Sequence, residues 1–226
     1  NGSLFNVDCV RTITSYCGPC KFDADFREWG GAYWGQNTRL PYWSMLAAGD
    51  YDLMPPLFNM YANALPIRKL ATKTYFKHTG AFFPEVMAFW GTGVAKSHVF
   101  MWDPANPEAP QLFHGAPRRE SMQGNHAPLT TPPGWHWHVG IEMTQLMLVY
   151  FEHTGNVAFR DRVLLPFARE ILEFYDIHWP RGKDGRILYF PLSAIEAIQY
   201  GTNPMPDIAG LHAILPRLIA SCPDEQ

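Results

Sequence analysis

The chain has 226 residues, 47% of them hydrophobic and 17% charged, with a net charge of −3. That much apolar sequence can bury a substantial core, which excludes intrinsic disorder and suggests one or two domains. Lys and Arg are scattered, so no basic patch is offered to a nucleic acid or an anionic membrane, and no apolar run approaches the roughly 18 residues of a membrane span.

The aromatic fraction of 15%, with eight Trp, is high for an ordinary soluble domain, and 20 Pro predict long stretches of loop. Asn1-Gly2-Ser3-Leu4-Phe5 lacks the basic and apolar regions of a signal peptide. The missing initiator Met and the polar end Pro223-Asp224-Glu225-Gln226 read as cuts in a longer chain, whose remainder is an expected partner. Cys9, Cys17, Cys20 and Cys222 are too few for a disulfide scaffold. Cys17-Gly18-Pro19-Cys20 has the letters of a redox motif, but thiolate chemistry needs it at a helix N-terminus behind a buried strand. The half-polar run Thr12 to Tyr16 before it and Lys21-Phe22-Asp23 after it do not supply that context.

In chain order, residues 1–36 read as irregular chain with a short strand at Leu4 to Val7. Leu40, Trp43 and Met45 to Ala48 give a first helical stretch ended by Gly49-Asp50. Pro55-Pro56 opens a second through Leu57, Met60, Tyr61, Ala64 and Leu65. A kink at Pro66 carries it to Tyr75, and Lys77-His78-Thr79-Gly80 closes it. Residues 91–134 show no sustained period and read as loops. A second helical pair follows: Ile141, Leu146, Met147 and Tyr150 share one face, Gly155 ends that helix, and Asn156 caps the next. Leu164, Phe167, Ala168, Ile171, Leu172 and Tyr175 continue it, with a kink or a fresh first turn at Pro166. Lys183 to Arg186 predicts a turn into a short strand at Ile187 to Phe190, and Pro206 starts a last helix through Leu211, Ile214 and Leu218. Helical pairs joined by elaborated loops suggest an α-toroid, and a helical bundle fits the same string.

Three carboxylates stand in apolar surroundings: Glu85, Glu142 and Glu196. Burial raises a carboxyl pKa, which suits a general acid; the alternative for each is a structural carboxylate bonded to backbone N–H groups or to an Arg. Trp29, Tyr33, Trp34, Tyr42, Trp43 and Trp90 could stack on the apolar faces of sugar rings, or simply pack in the core. His136-Trp137-His138 suggests metal binding, but no third ligand stands at a metal-site spacing, so no metal or other cofactor is expected. In a polar cleft these His residues suit hydrogen bonding to hydroxyls.

The stretch Trp34-Gly35-Gln36-Asn37-Thr38-Arg39-Leu40-Pro41-Tyr42-Trp43 resembles the Asn-x-Asn-Thr-x-x-x-Tyr-Trp motif of glycoside hydrolase family 95, the inverting α-L-fucosidases and α-L-galactosidases. Asp52 to Phe58 continues the likeness, the helix ending Tyr150-Phe151-Glu152-His153-Thr154-Gly155-Asn156 is similar to the family's Tyr-x-x-Thr-Gly-Asp, and Pro166 to Phe174 resembles the helix after it. Pro191-Leu192-Ser193-Ala194-Ile195-Glu196 is similar to the family's Pro-Ser-x-Ser-Pro-Glu. The chain is more similar still to a set of bacterial proteins of unassigned activity sharing Asn1-Gly2-x-Leu4-Phe5, Trp29-Gly30-Gly31, Gln36 to Trp43 and Asn203-Pro204-x-Pro206-x-x-Ala209-Gly210-Leu211.

The resemblance implies an all-α fold, an incomplete (α/α)6 toroid of the six-hairpin glycosidase kind with long loops and short β-hairpins. Residues 37–226 would form a partial barrel catalytic domain, entered through the irregular segment 1–36. It implies a secreted or periplasmic hydrolase of plant or microbial poly- or oligosaccharide, with Glu196 protonating the leaving oxygen and Asn37 helping to hold the attacking water. Trp34, Gln36, Arg39, Trp43, Glu85, Trp90, His136, His138, Glu142 and Asn203 are the expected substrate-binding residues. Three departures bear on this: the family's first Asn falls on Gly35, Ile195 stands where the family has Pro before the acid, and the general-base Asp, far beyond the acid, has no counterpart before Gln226. An inverting site needs a second carboxyl about 6.5–9.5 Å from the first, so the chain alone is expected to be inactive unless Glu85 or Glu142 takes that role. The alternative is a carbohydrate-binding or structural toroid without catalysis.

Overall fold

The computed structural model describes residues 33–87, 90–91, 137–190, 192–194 and 201–222. The strand expected at Leu4 to Val7, the Cys17–Cys20 motif, nearly all of the 91–134 loops, His136 and Glu196 lie outside them. The described residues are mostly helical, as an all-α fold requires. The helices are α1 (Gly35–Ala48), α2 (Pro55–Phe76), α3 (His138–Thr154), α4 (Leu165–Ile177) and α5 (Met205–Ser221). Strands β1 (Tyr33–Trp34) and β2 (Val86–Met87) pair antiparallel, with Tyr33 opposite Met87 and Trp34 opposite Val86.

Several helix ends follow local chemistry. Gly49 and Gly155 close α1 and α3 in the left-handed conformation at φ 80° and 62°. Pro55-Pro56 occupies the first turn of α2, where a missing N–H costs nothing. Asn156 Oδ1 accepts from the Phe159 N–H at 3.0 Å, capping a helical turn at Val157–Phe159. That turn widens into a π-helical stretch at Arg160–Leu164 before α4, so the irregularity expected at Pro166 sits just ahead of it, and Pro166 itself occupies the first turn of α4. Two expectations are corrected. Residues 33–36 are not irregular: they form β1 and the start of α1. Ile187 to Phe190 is not a regular strand either. Only Ile187 bridges, to Arg181, while Tyr189 exchanges bonds with the backbone and side chain of Asn203.

Helix α3 is the hub, with α1, α4 and α5 all packed on it and α2 packed on α4. Its burial therefore extends beyond one stripe: Met143 and Leu148 are covered as well as Ile141, Leu146 and Met147. Each such side chain removed from water contributes about 1.5–3 kcal/mol. The close approaches cluster at the N-terminal end of α3. A Cβ on Gly35 would stand 2.7 Å from Val139, one on Gly140 2.9 Å from Ile171, and one on Gly210 2.6 Å from Ile141. Three helices are thereby drawn onto one turn of α3.

Beside this turn lies an aromatic cluster of Phe76, Phe82, Trp137, Phe174, His178 and Trp179. His178 lies parallel to Phe174 with ring centroids 4.7 Å apart, and its Nδ1 is 2.8 Å from His78 Nε2. His78 Nδ1 faces the Thr79 carbonyl at 2.7 Å and must donate there. Burial, and secondarily His78, lowers the His178 pKa from 6.5 to about 4. The folded state thus binds this proton less readily than the unfolded chain does. Stability present above pH 6.5 is therefore lost as pH falls toward 4. Between about pH 7.5 and about pH 4.5 the loss should be about 2–3 kcal/mol, and His178→Gln should remove that component from the difference in urea midpoints. Equal pH dependence in the two proteins would contradict this account.

Candidate functional site

Along α1, Gln36, Arg39 and Trp43 recur at i, i+3 and i+7; along α3, His138, Glu142 and Gln145 recur at i, i+4 and i+7. Packing of α1 on α3 brings the two polar stripes together over a cleft of about 340 Å³. Ile141 and Gly210 add to the lining, and Ala194 and Pro206 border it from the segment before α5 and from that helix's first turn. The volume is at the small end of the range for small-molecule sites, about 300–1,000 Å³.

The start of α1 is built from outside its own sequence. Trp34, its N-cap, makes no side-chain cap. Instead Glu85, the residue before β2, reaches in: its backbone carbonyl accepts from Gly35 N–H at 2.8 Å and its Oε1 from Gln36 N–H at 2.8 Å. A carboxylate at this end also opposes the positive pole of the helix. Glu85 is 1% exposed and does not line the cleft, so it holds the helix that presents Gln36 and Arg39.

Arg39 and Glu142 are the charged groups in the cleft lining. Arg39 Nη1 donates to both Glu142 oxygens at 2.7 Å, and Arg39 Nε donates to the Gln36 carbonyl at 3.1 Å. Their side chains remain 37% and 25% exposed, so the pair is pinned between two helices yet open to the cleft. Gln145 Oε1 accepts from Arg217 at 3.0 Å, while Arg217 also holds Glu152. That bond commits the Gln145 carbonyl and leaves its amide N–H groups as donors. Behind the site, burial first, and then Glu85 and Glu142, push the Tyr61 hydroxyl above its ordinary range.

Five expected binding residues therefore meet: Gln36, Arg39, Trp43, His138 and Glu142. Five residues expected at the site do not line the cleft. Trp34 is buried in β1, Asn37 is half-buried in the first turn of α1, Glu85 caps that helix, Trp90 is exposed outside the lining, and Asn203 takes φ 50° in a turn that binds Tyr189. Glu196 and His136 lie outside the described residues. The absence of an Asn at position 35 has a steric cause, because any side chain there would overlap the stiff, branched Val139.

Gln145 is not among the residues expected from the sequence, although its spacing from His138 and Glu142 carries the signal. Neither is Asp207. It is fully buried, its Oδ1 accepts from Tyr175 at 2.5 Å, and burial raises its pKa to about 7 against the opposing effect of that bond. As an acidic residue in the first turn of a helix it reads as a surface group, and only its burial makes it unusual. It sits behind the wall formed by Pro206 and Gly210 and does not itself line the cleft.

No family model, curated protein or solved structure matches the chain. Among the described residues no group of three His, Cys, Asp or Glu side chains could hold a metal, and no helix is long and apolar enough to cross a membrane.

Proposed function

We propose that the chain forms part of an (α/α)6 toroid of glycosidase type which, together with the general base that the resemblance places beyond Gln226, hydrolyses a plant or microbial oligo- or polysaccharide with inversion, Glu196 being the general acid. One observation carries the reading. Five of the residues expected at a sugar site, Gln36, Arg39 and Trp43 from α1 and His138 and Glu142 from α3, with Arg39 and Glu142 103 positions apart, meet in one cleft bordered by Ala194, two residues before Glu196. The lining has the chemistry a sugar requires: an indole for the apolar ring face, and amide, imidazole, guanidinium and carboxylate groups for hydroxyls.

A second reading, sugar binding without hydrolysis, is favoured by one feature: the carboxylate in the described lining, Glu142, is engaged by Arg39. One assay separates the two. The full-length gene product is incubated with α-L-fucosides, galactosides and rhamnosides while released sugar and the change in Trp fluorescence are both followed. Release with inversion at the anomeric carbon supports the hydrolase. A saturable fluorescence change without release supports the binding protein, and no response to any glycoside overturns both.

A further inference from the structure

We propose that the Arg39–Glu142 ion pair is the specificity element of the cleft, reading a pair of adjacent ring hydroxyls and turning away acidic sugars; this rests on the carbohydrate reading above. Two fixed points hold the guanidinium, the Gln36 carbonyl on α1 and the Glu142 carboxylate on α3. Nη2 takes no part in these bonds, and each carboxylate oxygen, having accepted one bond from Nη1, keeps a further lone pair. A rigid donor edge thus stands directly beside a rigid acceptor edge, both partly exposed to the cleft. Neighbouring hydroxyls on a pyranose match that arrangement, one accepting from Arg39 and the other donating to Glu142. Because the pair is organised before ligand arrives, little side-chain freedom is lost on binding.

The same pairing governs charge selection. Arg39 alone would attract a uronate or a sulfated sugar, and a planar guanidinium is well shaped for such anions. Glu142 already neutralises it and places a negative charge where the anion would sit. The helix ends beside the cleft give an anion little else to bind. Glu85 occupies the start of α1, Asp207 lies in the first turn of α5, and Glu142 stands in the second turn of α3.

The test uses the 226-residue chain and matched ligands: methyl glycosides of glucose, galactose and mannose, each beside its uronic acid counterpart. Affinities are read from Trp fluorescence and calorimetry. Wild type is expected to bind its best neutral glycoside at least about tenfold more tightly than the matching uronate. Glu142→Gln should weaken the neutral ligand about ten- to hundredfold, the effect of losing a charge-assisted hydrogen bond, and should remove or reverse the preference. Arg39→Met combined with Glu142→Met leaves no lone charge in the cleft and should abolish discrimination while the helical signal is retained. Equal wild-type affinity for both ligands, or an unchanged preference in either variant, overturns the inference and leaves the carbohydrate reading standing. Failure of wild type to bind any glycoside overturns that reading as well.

Discussion

Glu196→Gln is expected to lower sugar release by about 10²–10⁴-fold while leaving glycoside affinity nearly unchanged. The amide matches the carboxyl in size and hydrogen-bonding reach but cannot deliver a proton to the leaving oxygen. The loss should depend on the leaving group. An alkyl glycoside needs nearly full protonation as its bond breaks, whereas a nitrophenyl glycoside departs as a stabilised phenolate and needs little help. The variant should accordingly retain most of its activity on the nitrophenyl substrate and almost none on the alkyl one. Measuring kcat/KM for both leaving groups tests the assignment, and a parallel loss on the two would reassign Glu196 to binding or to structure.

The largest expected effect on stability belongs to Gly80→Ala. Gly80 has φ 87°, and a Cβ there would lie 2.4 Å from the Phe174 amide nitrogen and 2.7 Å from its Cα. Both are backbone atoms within α4, so no side-chain rotation relieves the overlap. The following residue is tied to the same helix, since Ala81 N–H donates to the Glu170 carbonyl at 2.8 Å. Backing away would break that bond and open the cluster around Phe82 and Phe174, whose rings lie 5.4 Å apart. Left-handed strain and the lost docking together should cost about 3 kcal/mol, lowering the urea midpoint clearly. Gly185→Ala provides the comparison. It has φ 77° but open space around a Cβ, so it should carry the conformational cost alone, about 1–2 kcal/mol. Equal losses at the two positions would show that contact with α4 contributes nothing.

Much of the helical framework was legible because its signals are local. Pro55-Pro56, Gly49, Gly155, Asn156 and Pro206 act within one turn of the boundaries they set. Gln36, Arg39, Trp43, His138 and Glu142 were legible as site candidates through composition and resemblance to a hydrolase motif, and the same residues line the cleft. Arg68 was not legible. It follows the periodicity of α2 without standing out, yet its guanidinium is buried, donates to the Phe82 and Gly91 carbonyls at 2.9 and 3.2 Å, and lies 4.6 Å from the Phe82 ring centre. Its pKa is lowered to about 10 by burial, so it remains a cation at neutral pH. Chain turns well downstream of α2 supply its carbonyl partners, and no short window of sequence contains them.

The amino-acid sequence by itself determined most helix ends and which residues share a stripe, because capping, proline geometry and the 3.6-residue period act between near neighbours; the start of α1, capped by Glu85, is the exception. Only the tertiary structure decided which stripes face one another and what each carboxyl does. Glu85 and Glu142 looked alike in sequence, yet one caps α1 from 49 residues away and the other pairs with Arg39 across the cleft. Asp207 looked ordinary, yet its carboxyl is raised to about 7. Desolvation and the room available for a Cβ are set by neighbours that only folding assembles, and for Gly35 that neighbour is Val139, more than a hundred residues downstream.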